Sequence, residues 1–141
     1  RLYVVGADDP DLPRYAEIAA AVAPAVAAPA GERAAVLRDR VAAGRTVLMV
    51  AVEDGEPVAV GSHHPVVVDG EEVSEVTGVA TLPRLRGRGL GAGVASALVA
   101  HARETAHLVF LTAGDDDVAR VYERVGFARL ATTAVALPPE E

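Results

Sequence analysis

Hydrophobic residues run through this chain in two rhythms. Alternation or a short unbroken apolar run marks a strand, and a recurrence near 3.6 residues marks a helix. Residues 2–5 predict a first short strand. Residues 12–22 follow Pro10 and Pro13 and predict a helix, with Asp11 placed to cap its start. The Pro- and Ala-rich residues 23–31 predict a loop. Residues 32–43 predict a second helix, with Ala35 and Val36 on an apolar face, Asp39 and Arg40 on a charged one, and Gly44 as its stop. Three strands follow at 46–53, 58–63 and 73–82, joined by "EDGEP" and "VDGEE". Asp-Gly at two successive corners predicts an antiparallel meander.

Beyond these strands, Leu90, Val94, Ala97, Leu98 and His101 recur at helical spacing and predict a helix over 90–105. Residues 107–112 predict a short apolar strand. Residues 115–124 predict a further helix whose acidic start suits the helix dipole, and Gly126 ends it. Residues 127–137 predict a last strand, or two with a bend. The order is β-αα-βββ-α-β-α-β. A strand, a turn and a helix leading to another strand make a right-handed crossover onto a parallel neighbour. The class is therefore α/β (α+β), with a mixed sheet in which antiparallel hairpins feed one parallel pair.

Composition narrows what such a fold can do. The 141 residues are the size of one domain, and 51% are hydrophobic, ample for a core. Only 4% are aromatic, so Val, Ala and Leu must fill it. The net charge of −7 argues against nucleic acid or an anionic membrane as partner. All 13 basic residues are arginine. Without lysine there is no Schiff-base chemistry and no lysine-dependent phosphate loop. Without cysteine there is no disulfide, no thiol nucleophile and no cysteine-type zinc site. These features fit a reducing cytoplasm, and the Ala/Gly/Arg/Val bias fits a bacterial source. The most apolar run, residues 16–30, is broken by Glu17, Pro24 and Pro29 and predicts no membrane span. The chain begins at Arg1 rather than Met, which fits the C-terminal part of a longer protein.

The densest basic cluster lies in "LPRLRGRGLGAG", residues 82–93, between a strand and the longest apolar helix. Gly87, Gly89, Gly91 and Gly93 each weaken a helix start by up to about 1 kcal/mol relative to Ala. Folding alone does not explain four of them in one turn. A helix N-terminus carries unpaired N–H groups and partial positive charge, and glycines let the backbone approach a ligand. Arg86 and Arg88 add full charges. The stretch therefore predicts a pyrophosphate site. Gly87, Gly89 and Ala92 nominally match the dinucleotide fingerprint G-x-G-x-x-A. However, four residues separate the strand from the first glycine, and three antiparallel strands precede the unit.

The run Arg86-Gly87-Arg88-Gly89-Leu90-Gly91 matches Q/R-x-x-G-x-G/A, the signature of the GCN5-related N-acetyltransferase (GNAT) family. "GVATLP" before it resembles the family's fourth-strand ending, and "DDDVARVYERVGF" resembles its terminal helix. The element order agrees over nearly the whole chain. The resemblance implies a single acyl-CoA-binding, acetyltransferase-like domain over 1–141. It implies a mostly antiparallel sheet of six to seven strands flanked by about four helices, with the fourth and fifth strands, a parallel pair, splayed apart. It implies acetyl-CoA as cosubstrate, no metal, and a small-molecule or peptide amine as acceptor. The oligomeric state stays open, a homodimer included.

Position by position, the resemblance assigns Arg86, Gly87, Arg88, Gly89, Leu90 and Gly91 to the coenzyme A pyrophosphate. It assigns the strand edge at Val79, Ala80 and Thr81 to the pantetheine arm, with the Val79 amide polarising the thioester carbonyl. Tyr122 stands where many relatives place the acid that protonates the thiolate. It also shares a helix face with Val118, Val121 and Val125, so plain packing competes with that role. Glu75, eleven residues before Arg86, stands where some relatives carry the general base, and its alternative is a solvated side chain. Strict alternation places Glu75, Thr77, Val79 and Thr81 on one face. Asp115 stands where relatives often have an Asn; it can cap the helix but cannot donate through an amide. His63 and His64 point to opposite faces and cannot ligate one metal together. Either is an outlying candidate for the acceptor site, and structural roles are the default for all four histidines. The rival to an enzyme is a domain that binds acyl-CoA without turnover.

Overall fold

The computed structural model describes residues 1–20, 30–113 and 116–129. Five strands among them form one sheet in the order β1-β2-β3-β4-β5. They are β1 (Leu2–Val4), β2 (Val47–Glu53), β3 (Glu56–Val68), β4 (Glu71–Thr81) and β5 (Leu108–Phe110). The first three pairings are antiparallel, and β4/β5 is parallel. The helices are α1 (Leu12–Ala20), α2 (Ala30–Ala42), α3 (Leu90–Ala102) and α4 (Asp116–Arg124). The expected mixed, mostly antiparallel sheet with four helices is what forms. The last expected strand lies largely outside the described residues, and residues 127–129 are in no regular element.

Both Asp-Gly corners form as expected. Asp54 and Gly55 have φ of 52° and 78°, and Asp69 and Gly70 have 51° and 81°. Two consecutive left-handed residues give a turn whose twist matches the flanking strands. Several boundaries differ from the sequence pattern. β3 runs on through Pro65 to Val68 rather than stopping at His63. The end of β2 explains this: its last register pair is Val47↔His63, so at Pro65 only β4 is alongside. A residue without an N–H is tolerated at such an edge. α3 stops at Ala102, and the β5 ladder is three residues long. Asp11 accepts the first helical bond of α1 from Tyr15 N–H, while the Oδ1 of Asp9 takes the Asp11 N–H.

The core has two halves, one on each face of the sheet. On one face Leu12 and Tyr15 of α1 and Ala34 of α2 pack on Leu48, Val50, Val60 and Ala80. On the other, Val94 and Leu98 of α3 pack on Met49, Ala51, Val58 and Val76. Burial of both faces is why β2 and β3 read as apolar runs rather than as alternation. α3 sits close because Gly61 of β3 has no side chain. A Cβ there would lie 2.7 Å from Leu98 Cδ1 and 2.8 Å from Val94 Cγ1.

Candidate active site

β4 and β5 make a fork. They pair only at Val73↔Leu108, Ser74↔Val109 and Glu75↔Phe110, with His107 N–H donating to Glu72 O at 2.7 Å just before. β4 then continues six residues to Thr81 with no strand on that side among the described residues. Such an edge offers N–H and C=O groups to any extended ligand. Val79, Ala80 and Thr81 all lie on it.

Within this free stretch the strand carries a bulge. Val60 pairs with Ala80 and Ser62 with Thr77, so Gly78 and Val79 together face the single residue Gly61. The extra residue reverses the facing of everything beyond it. Val79 joins the α3-side cluster, whereas Ala80 joins the α1-side one. A Cβ on Gly91 of α3 would meet Thr81 Oγ1 at 3.4 Å, so Thr81 also faces α3. The expectation that Glu75, Thr77, Val79 and Thr81 share a face is thus corrected. The first two look away from α3 and the last two toward it. The bulge also interrupts the ladder beside Val79, the residue whose amide is the candidate oxyanion donor.

A single 3₁₀ turn, Pro83–Leu85, leads from β4 into the glycine stretch. Arg86 is extended, Gly87 has φ 85° and Gly89 has φ 78°. Side chains rarely adopt these last two conformations, so both glycines are required by geometry. Gly89 occupies the N-cap of α3 and so supplies no capping side chain, and the first turn holds no acidic residue. The opening amides of α3, at Leu90 and Gly91, therefore have neither an intrahelical acceptor nor a side-chain cap. This is the chemistry of an anion cradle. The two arginines behave differently. Arg86 Nε donates to Thr81 O at 3.3 Å, tying the loop to the end of β4. Arg88 reaches toward β2 instead and pairs with Glu53 Oε2 at 3.1 Å.

Tyr122 is half-buried on α4. Its ring meets Phe127 edge-on, with centroids 5.8 Å apart and planes at 82°. Its hydroxyl has no hydrogen-bond partner among the described residues, and burial pushes its pKa up. Phe127, like Val79 and Leu111, packs against the α3-side core, so the Tyr122 end of α4 rests on the same cluster as the fork. Glu75 marks the other limit of the site, for it is the last β4 residue paired with β5. Asp115 lies outside the described residues. Among those described, no group of three or more His, Asp or Glu side chains could hold a metal ion.

Sequence reasoning did not find the polar chains that cross the sheet at this level. On the α3 face, His63 Nδ1 bonds Ser74 Oγ at 2.8 Å and His63 Nε2 bonds His101 Nδ1 at 2.9 Å. On the α2 face, His64 Nδ1 bonds Thr46 Oγ1 at 3.0 Å and His64 Nε2 bonds Thr77 Oγ1. The partners are 11 to 38 residues apart, so no local pattern announces them.

The model of the acetyltransferase (GNAT) family matches residues 12–127, a span that takes in the fork, the bulge and the uncapped glycine turn. The chain belongs to the GNAT family. Solved GNAT-fold structures agree. A protein of Agrobacterium tumefaciens str. C58 named for acetyltransferase activity is 28% identical, with a TM-score of 0.79 over 94% of this chain and 96% of its own. A Clostridium acetobutylicum protein, also named as an acetyltransferase and determined with acetyl-CoA, is 20% identical, with a TM-score of 0.74 over 99% and 96%. The ribosomal-protein-alanine N-acetyltransferase of Brucella melitensis biovar Abortus 2308 is 19% identical, with a TM-score of 0.73 over 96% and 97%. No curated protein matches the chain. The last two likenesses concern the GNAT fold alone.

Proposed function

We propose that this protein is an N-acetyltransferase that moves an acetyl group from acetyl-CoA to a primary amine, by direct attack with both substrates bound. The observation that carries this reading is the edge of β4, unpaired by any strand among the described residues, followed through the glycine turn by the uncapped N-terminus of α3. An extended thiol arm fits the first, and its diphosphate fits the second. The amides of Gly87, Gly89, Leu90 and Gly91 hold the diphosphate. The edge at Val79, Ala80 and Thr81 pairs with the arm. The Val79 amide stabilises charge developing on the thioester oxygen. Tyr122, kept protonated by burial, returns a proton to sulfur. Glu75, where the fork closes, receives the ammonium proton. Placing both reactants in one cleft supplies much of the rate.

The test is an assay of acetyl-CoA with a panel of amines, run beside Tyr122→Phe. The expected result is turnover by the native chain and about a 100-fold lower kcat in the variant, with acetyl-CoA affinity within about twofold. Tight coenzyme binding with no transfer to any amine would mean a binding domain instead.

A further inference from the structure

The fork closes beside a second proton-handling group. His64 of β3 and Glu75 of β4 are register partners, so their side chains stand together on the α2 face. Thr77 lies two residues along, before the bulge, and shares that face. Its hydroxyl is bonded to His64 Nε2. The other ring nitrogen is bonded to Thr46 Oγ1, and Arg40 Nε reaches the same hydroxyl at 3.4 Å. His64, Glu75 and Thr77 are each only partly buried, so a small molecule can approach them. A hydrogen-bonded line thus runs from the open part of β4, through Thr77, His64 and Thr46, to Arg40 on α2.

We infer that His64 is the proton acceptor of the acyl transfer, reached through the Thr77 hydroxyl, with the Glu75 carboxylate as its counter-charge. This rests on the acetyltransferase reading but assigns Glu75 a different part. The ammonium N–H bond breaks and its proton passes to Thr77 Oγ1, while the hydroxyl's own proton passes to His64 Nε2. The freed nitrogen lone pair then forms the bond to the acyl carbon. As the C–S bond breaks, its electron pair leaves on sulfur. The proton that sulfur takes from Tyr122 is replaced by the one the new amide nitrogen sheds. One proton is released overall, held first on the His64 ring opposite the Glu75 carboxylate. Burial, then Arg40, hold the imidazole neutral, and Glu75 opposes them, favouring the charged form. A neutral ring beside a carboxylate is the state a proton acceptor needs before reaction.

The experiment pairs an imidazole NMR titration with the pH profile of kcat/KM, for the native chain, Glu75→Gln and Thr77→Val. Removing the counter-charge is expected to lower the His64 midpoint by about one pH unit and to move the acidic limb of kcat/KM by the same amount. Thr77→Val is expected to lower kcat about 10- to 100-fold at unchanged acetyl-CoA KM. A limb that disappears in Glu75→Gln makes Glu75 itself the base and overturns the inference. So does a limb that stays in place while the imidazole midpoint moves, or a native kcat in Thr77→Val. Calorimetry with acetyl-CoA separates the two levels. A native chain that does not bind it sinks the acetyltransferase reading, and this inference with it. Normal binding with an unmoved limb sinks the inference alone.

Discussion

His63 and His64 are adjacent in β3, yet their imidazoles lie on opposite faces of the sheet and each is bonded at both ring nitrogens. One is sealed under α3, and the other stands at the rim of the fork. The two therefore answer pH differently.

His63 is 2% exposed, and burial, then the charges of His101 and His64, pushes its pKa down to about 4. The unfolded chain binds this proton below about pH 6.5, the ordinary histidine value, and the native chain does not. Stability is therefore complete above that value and falls as pH drops toward 4. The expected loss is about 3 kcal/mol, from 1.36 kcal/mol per pKa unit. Urea midpoints measured between pH 8 and 4 should show it, and His63→Gln should flatten most of the slope.

Gly61→Ala should destabilise the chain by about 1–3 kcal/mol, because its methyl would press on Leu98, Val94 and Val79 at once. Those side chains belong to α3 and to the bulge, so the strain falls on the elements that shape the site. Shortening the nearest obstacle, as in Gly61→Ala with Leu98→Val, should recover part of the loss. Chemical denaturation of the single and double variants measures both.

Gly89→Ala forces a side chain into a left-handed N-cap with φ 78°. No atom lies within 4 Å of the added Cβ, so the cost is backbone strain of about 1 kcal/mol. The larger effect should be on ligand affinity, since the strain tilts the opening amides of α3. Calorimetry should show acetyl-CoA binding weakened about tenfold or more, and a Kd equal to the native one would remove these amides from the site.

Tyr3 and Tyr15 share a hydroxyl–hydroxyl bond of 2.8 Å, with Tyr15 of α1 buried against the sheet. Tyr15→Phe keeps the ring and its packing and removes only that bond. The expected cost is about 1 kcal/mol. Acetyl transfer at saturating substrate should be unaffected, because neither ring lines the fork.

Much of the architecture could be read from the chain because local chemistry and tertiary structure agree there. Asp54-Gly55 and Asp69-Gly70 set their corners wherever the strands go. Gly87 and Gly89 declare a backbone that other residues resist. The bulge was illegible because Val76-Thr77-Gly78-Val79-Ala80 is small or apolar at both phases. Alternation therefore gave no sign of where the phase slips. The reach of β3 past Pro65 was hidden because proline reads as an end until the missing neighbour strand is known. The histidine chains depend on contacts between distant segments, which periodicity does not encode. Tyr122 and Glu75 were found by resemblance to a family, and the geometry then placed Glu75 opposite a histidine that the sequence did not single out for that partner.

The additional residue in β4 lets one strand serve two chambers. Up to Thr77 its odd-numbered side chains belong to the half-open compartment on the α2 side; from Val79 onward they belong to the wall under α3. Drawing the strand into a regular ladder with both Gly78 and Val79 kept would rotate the remainder of the strand by half a turn. Val79 and Thr81 would then be evicted from their wall while each corner and helix kept its own local instructions, leaving a chain with sound parts and a misaligned cleft.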